Sequence, residues 1–165
     1  MTELQVRRAC PEDFEAVLRL FEAIAAERQY ILTEPPIDRD LRRKRFLEAI
    51  HSDDAFILVA ETGGEVVGEL TAFRSGSTGP ATIGMGVLAS WRGQGVGTAL
   101  MHACLEWARE AEVHKLSLEV FPWNEAAIGL YRKFGFVEEG RLRKQYRRQS
   151  GELWDVLVMG LLLEP

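Results

Sequence analysis

Three glycines in five residues, Gly93, Gly95 and Gly97, separate an apolar run from an amphipathic helix pattern. The run from Ala81 to Leu88 reads as a strand. From about Gly95 the apolar positions are Val96, Ala99, Leu100, Ala103, Cys104, Trp107 and Ala111, the i, i+3, i+4, i+7 spacing of one buried helical face. Glycines leave the backbone uncovered, so several N–H groups can point at one anion. A helix N-terminus adds its partial positive charge at the same place. The segment Val87-Leu88-Ala89-Ser90-Trp91-Arg92-Gly93-Gln94-Gly95-Val96-Gly97-Thr98 therefore reads as a pyrophosphate cradle. No lysine follows the glycines as a P-loop requires, and their spacing does not fit the dinucleotide-binding fingerprint. What does fit is R-x-x-G-x-G, carried by Arg92, Gly95 and Gly97.

With 165 residues and 47% hydrophobic content, the chain can bury one sizeable core, and a single domain over 1–165 is expected. A formal net charge of -5 and a sequence pI near 5.3 disfavour nucleic acid and anionic membrane as partners. No apolar run approaches the ~18 residues that would span a bilayer. The segment Met1-Thr2-Glu3-Leu4-Gln5 lacks a basic and apolar leader pattern, so no signal peptide is expected. Cys10 and Cys104 are read as reduced thiols, which with the rest implies a cytoplasmic protein. His51, His102 and His114 form no metal-ligand spacing, and no metal is expected.

Along the chain, Leu4 to Arg8 alternates as a first strand. Pro11, Glu12 and Asp13 open a helix that fades near Arg28. Gln29 to Asp38 is irregular, with Pro35 and Pro36 breaking any helix. It is either a pocket-lining loop, with Tyr30 against the substrate and Glu34 or Asp38 available to an amine, or a packed connection. A second helix runs from Asp38 or Leu41 to His51. Ala55–Glu61 and Glu65–Phe73 are strands joined by the turn signal Thr62-Gly63-Gly64. Gly84 and Gly86 inside the next strand mark a close approach to the backbone. Lys115–Val120 is a strand, Asn124 caps a short helix that stops at Gly135, and Phe136–Tyr146 and Leu153–Leu163 close the chain. Hairpins mixed with helical crossovers give an α+β (α/β) class with a mixed central sheet. The tryptophans read as packing, and the basic run Arg141–Arg148 as solvated surface.

A second pattern lies downstream of the glycine loop. Asn124, Ala127, Tyr131, Gly135 and Phe136 match N-x-x-A-x-x-x-Y-x-x-x-G-F, and together with Arg92, Gly95 and Gly97 they resemble the paired signatures of the GNAT N-acetyltransferase superfamily. The likeness covers nearly the whole chain and is sharpest from Val87 to Phe136. It implies a mostly antiparallel sheet of about seven strands flanked by about four helices. It implies acetyl-CoA as co-substrate, held by Val87, Leu88, Ala89, Arg92, Gly93, Gln94, Gly95, Val96, Gly97 and Thr98. Asn124, Ala127, Tyr131 and Lys133 would hold its arm and phosphates, with the pantetheine passing Gly84 and Gly86.

The implied reaction is direct attack of an amine on a thioester, which needs a base, an oxyanion donor and an acid. Tyr131 is the expected acid, and a backbone N–H near Val87 or Leu88 the oxyanion donor. Members with a glutamate on the strand before the glycine loop use it as base, but this chain has Thr82 there. Glu119, in Leu118-Glu119-Val120, is the candidate base, with Glu69 or a water chain as alternatives. Gly151 and Asp155 are similar to residues of the amino-acid and phosphinothricin-type branches, which makes Asp155 a substrate-binding candidate. The expected acceptor is a small-molecule amine such as an amino acid or xenobiotic amine. A protein N-terminus or polyamine is the second choice, and a non-catalytic acyl-CoA-binding module the third. The resemblance also allows a homodimer.

Overall fold

A computed structural model describes residues 3–163; residues 1–2 and 164–165, and the expectations that fall on them, lie outside the described residues. The elements run β1 (Gln5–Arg8), α1 (Phe14–Ala26), α2 (Arg39–Ile50), β2 (Ala55–Thr62), β3 (Glu65–Arg74), β4 (Ala81–Val87), α3 (Val96–Glu110), β5 (Lys115–Val120), α4 (Glu125–Lys133), β6 (Val137–Arg147) and β7 (Leu153–Leu162). The strands form one 7-stranded sheet in the order β1-β2-β3-β4-β5-β7-β6. Every pairing is antiparallel except β4 with β5. This is the mixed, mostly antiparallel sheet with flanking helices that the resemblance implies.

Local chemistry explains most boundaries. Pro11–Asp13 makes a short 3-10 turn before α1 instead of starting the helix itself. The Asp38 carboxylate accepts from Leu41 N at 2.9 Å and opens α2, an N-cap that satisfies one of the orphan donors. Gly63 and Gly64 both carry positive φ, 59° and 79°, as a tight hairpin turn requires. Asn124 caps α4 by accepting from Ala127 N at 3.3 Å.

The sheet is packed on both faces. On β2, Phe56, Leu58 and Ala60 join Leu100, Met101 and Cys104 of α3 in one core. The alternate residues Ala55, Ile57 and Val59 join Phe14, Val17, Leu18 and Ile24 of α1 in another. This is the period-2 alternation of a strand buried on both sides. The face of α3 is wider than its periodicity suggests. Met101, Leu105 and Ala108 are buried beside Val96, Leu100 and Cys104, whereas Trp107 is only half-buried and stacks on Phe56, centroids 4.7 Å apart.

The site depends on where the sheet comes apart. β4 and β5 pair only at Ala81–Leu116 and Thr82–Ser117. Beyond that the strands diverge, β4 to Val87 and β5 to Val120, with no ladder between them.

Candidate active site

The divergence of β4 and β5 opens a cleft of about 810 Å³. Ile83, Met85 and Val87 line it from one strand and Glu119, Val120 and Phe121 from the other, with the glycine loop, α4 and the α1–α2 loop completing the walls. On β5, Leu116, Leu118 and Val120 lie in the α3-side core. Glu119, by alternation, projects to the opposite face, on which α1 packs. Tyr131 of α4 is buried on the α3 side among Cys104 and Phe136. The cleft therefore passes through the sheet, with Tyr131 on one face and Glu119 on the other, and both side chains line it.

At the glycine-loop end the walls are mostly backbone. Gly93 and Gly95 hold φ of 73° and 86°, a region costly for residues with a Cβ. The first helical bond of α3 is Ala99 N to Gly95 O at 2.9 Å, which leaves the N–H groups of Val96, Gly97 and Thr98 free of partners within the helix. A Cβ on Gly97 would stand 2.9 Å from Leu130 of α4, so this glycine lets the two helices meet. Gly84 has open space beside it, whereas a Cβ on Gly86 would meet Ile24 at 2.7 Å. Both strand glycines border the cleft, and Gly86 also accommodates Ile24 of α1.

Several expected site residues do other work. Arg92 lines the cleft but spends its guanidinium on Glu27, at 2.8 and 2.6 Å, and on Val87 O at 3.0 Å. It braces the loop against α1. The Leu88 N–H donates to Val67 O at 3.0 Å, so it is not available to an oxyanion. The same antiparallel register turns the Val87 N–H away from β3, toward the cleft. Gln94 donates to Ser90 O at 2.6 Å, Val96 is buried in the core, and Ala89 lies in a 3-10 turn; none of the three lines the cleft. Lys133, Asn124, Ala127 and Thr98 do line it.

From the α1–α2 loop, Tyr30 lines the cleft. Glu34 instead accepts from Gln149 N at 2.9 Å and pairs with Arg28 and Arg148 at 3.4 and 3.5 Å. Asp38 is used as the α2 cap, and Asp155 pairs with Arg141 at 2.8 Å while accepting from Lys144 N. These three carboxylates are structural. Glu69 is nearly inaccessible, 3% exposed, on β3 beside Gly86, and accepts from the Thr71 hydroxyl. It does not line the cleft, so it is not positioned as a base on an acceptor.

Reading the tryptophans as packing and the basic run as solvated surface misassigned Trp91, Trp123 and Arg148 and overlooked Tyr146. Trp91 lines the cleft beside the glycine loop. Trp123 lines the cleft. Arg148 is buried, 3% exposed, because the carbonyls of Ile31 and Leu32 and the ring of Trp154 close over its guanidinium. Tyr146, a lone aromatic within that run, lines the cleft and donates its hydroxyl to Glu119. The available signal was its aromatic ring within the mostly basic run Arg141–Arg148.

Burial sets the acid–base properties. Tyr131 is pushed up to about 12 by desolvation, reinforced by Cys104, and stays a neutral phenol at working pH. The hydrogen bond to Glu119 holds the Tyr146 phenol up at about 12 as well. Cys104 rises to about 12 through desolvation and remains a thiol, which removes it as a nucleophile. Burial lifts the Glu69 carboxyl to about 7, against the opposing pull of Thr71 and Arg42.

The model of the acetyltransferase (GNAT) family matches residues 17–136. The chain belongs to the GNAT family. This GNAT acetyltransferase is 31% identical over 166 aligned residues to the L-amino acid N-acetyltransferase AaaT of Escherichia coli K12, covering 96% of this chain and 98% of that one. It is 27% identical to the L-methionine sulfoximine/L-methionine sulfone acetyltransferase of Pseudomonas aeruginosa PAO1, over 97% of this chain and 95% of the relative. Among solved structures, a ribosomal-protein-alanine N-acetyltransferase from Brucella melitensis superposes with TM-score 0.86 at 29% identity, covering 96% and 99% of the two chains. The fold is also shared with yncA of Salmonella typhimurium, solved with its cofactor acetyl-CoA, at TM-score 0.87 and 20% identity over 99% and 95%. Among the described residues, no helix is long and apolar enough to cross a membrane.

Proposed function

We propose that this GNAT acetyltransferase moves an acetyl group from acetyl-CoA to the primary amine of a small molecule by direct attack. The observation that carries the reading is the cleft between β4 and β5, with Tyr131 on one face of the sheet and Glu119 on the other. Acetyl-CoA supplies the acetyl group as an activated thioester. The free N–H groups at the start of α3 and the positive-φ glycines before it suit its pyrophosphate. The open flank of Gly84 suits a thin chain beside β4. Asn124, already capping α4, keeps its amide nitrogen for the pantetheine arm.

Glu119 takes one proton from the acceptor ammonium, which frees the nitrogen lone pair. Its carboxylate is held by the Tyr146 hydroxyl, which stays protonated throughout the working range. The Val87 N–H donates to the carbonyl oxygen as charge builds there. The new C–N bond forms as the C–S bond breaks. Tyr131 gives its proton to the departing sulfur, and the second proton lost by the nitrogen replaces it. Burial makes Tyr131 a weaker acid, yet the same dry surroundings destabilise a bare thiolate, so the transfer remains matched.

Two relatives named for amino-acid acetylation over nearly their full length support a small-molecule acceptor. The test is mass-spectrometric detection of acetylated product after incubation with acetyl-CoA and pools of amino acids, polyamines, aryl amines and N-terminal peptides. Product in a small-molecule pool supports the reading. Acetyl-CoA binding without product in any pool refutes it.

A further inference from the structure

The acceptor end of the cleft is walled by rings. Tyr30 and Leu32 enter from the α1–α2 loop, Phe121 and Trp123 from the end of β5, and Tyr146 from β6. These side chains are fixed before any substrate arrives. Trp123 stacks on Phe121 with centroids 5.1 Å apart and planes 6° from parallel, and Trp154 abuts both edge-on at 4.6 and 5.0 Å. The Trp123 indole N–H donates to Gln29 O at 3.0 Å. Despite this ordering, Trp123 is 43% exposed and Leu32 49% exposed. A rigid apolar surface left open to a cleft is a prepared contact for an apolar body, since little further ordering is needed on binding.

The charges at this end are equally selective. Glu119 presents a carboxylate there. Arg92 stands over the Tyr30 ring at 5.1 Å with its charge paired to Glu27, and Lys133 is the last residue of α4. Arg148 stands behind the wall with its face on Trp154 at 4.1 Å, and its unpartnered Nη2 is sealed from solvent. A cationic amine meets a carboxylate and aromatic faces, both attractive. An acceptor carboxylate would be desolvated near Glu119, and among the described residues Arg28, Arg92 and Arg148 around this end are already paired, with Glu34, Glu27 and Glu34 respectively.

We propose that the acceptor is of the arylalkylamine class: a primary amine on an aromatic or apolar body, with no carboxylate beside the nitrogen. This rests on the N-acetyltransferase reading above and selects a substrate class within it. The test is steady-state acetylation by the full chain at saturating acetyl-CoA with matched pairs, tryptamine against tryptophan and phenethylamine against phenylalanine. Methionine sulfoximine and spermidine are run beside them. The expected result is a kcat/KM at least roughly tenfold higher for each amine than for its amino acid. Trp123→Ala should narrow that gap by raising KM for the amine, and Trp123→Phe should restore it. Amino acids used as well as or better than the amines, product from methionine sulfoximine or spermidine alone, or a preference unchanged in Trp123→Ala would each overturn the proposal, while leaving the N-acetyltransferase reading intact. No acetylation of any amine despite calorimetric binding of acetyl-CoA would refute that reading, and this one with it.

Discussion

The two ends of the cleft are built from different materials. The glycine-loop end is backbone: contiguous residues, positive-φ glycines and the unsatisfied N–H groups of one helix start. The acceptor end is side chains gathered from the α1–α2 loop, the end of β5, β6 and β7, and tied together by Arg148, Glu34 and Gln149. A backbone site tolerates side-chain change and fails on geometry. A side-chain site fails one residue at a time and can be retuned the same way.

The largest expected break is at the junction of the two ends. Tyr131→Phe should lower kcat by about 10²- to 10⁴-fold with acetyl-CoA affinity retained. Steady-state kinetics with a calorimetric Kd checks this, and comparable loss of binding would count against an acid role. Next, Glu119→Gln should cost on the order of 10²-fold in kcat and remove the acidic limb of the pH–rate profile. An unchanged profile would exclude Glu119 as base. Tyr146→Phe should weaken turnover less, since it removes only the group that holds Glu119.

Glu69 sharpens the contrast because it lies outside the cleft. Its native value of about 7 exceeds the ordinary 4.5, so the folded state binds this proton more tightly than the unfolded chain. Its contribution is fullest below pH 4.5 and falls as pH rises to about 7, a loss on the order of 3 kcal/mol. Glu69→Gln should therefore raise Tm at pH 8 by roughly 5–10 °C, lose that advantage at pH 5, and leave the pH dependence of kcat unmoved. A moved profile would return Glu69 to the mechanism.

At the backbone end, Gly97→Val should weaken acetyl-CoA binding about tenfold by forcing α3 from Leu130, whereas Gln94→Ala should change it less than about twofold. The smallest effect is Arg28→Ala. Arg28 is 52% exposed in its pair with Glu34, and its loss should cost under about 1 kcal/mol, read as a slight fall in Tm with unchanged kcat.

The order and type of nearly every element, the mixed sheet, the glycine loop and the α4 signature were legible in the residues. Each rests on short-range spacing, capping chemistry or alternation that a linear chain displays. The uses of Arg92, Glu34, Asp155 and Arg148 were not legible, because a charged side chain looks the same whether its partner is solvent or a residue far along the chain. Arg148 reads as one more cation in a basic run, until the α1–α2 loop closes its carbonyls over the guanidinium. Tyr146 meets Glu119 only because β7 lies between β5 and β6 in the sheet. The sequence by itself determined the order and type of the elements and the glycine-rich turn before α3, since these follow from local conformational preference and periodic burial, while the family was read from its resemblance to the two GNAT signatures. The tertiary structure decided which charges are spent and which rings face the cleft, since those depend on contacts between segments that no local pattern encodes.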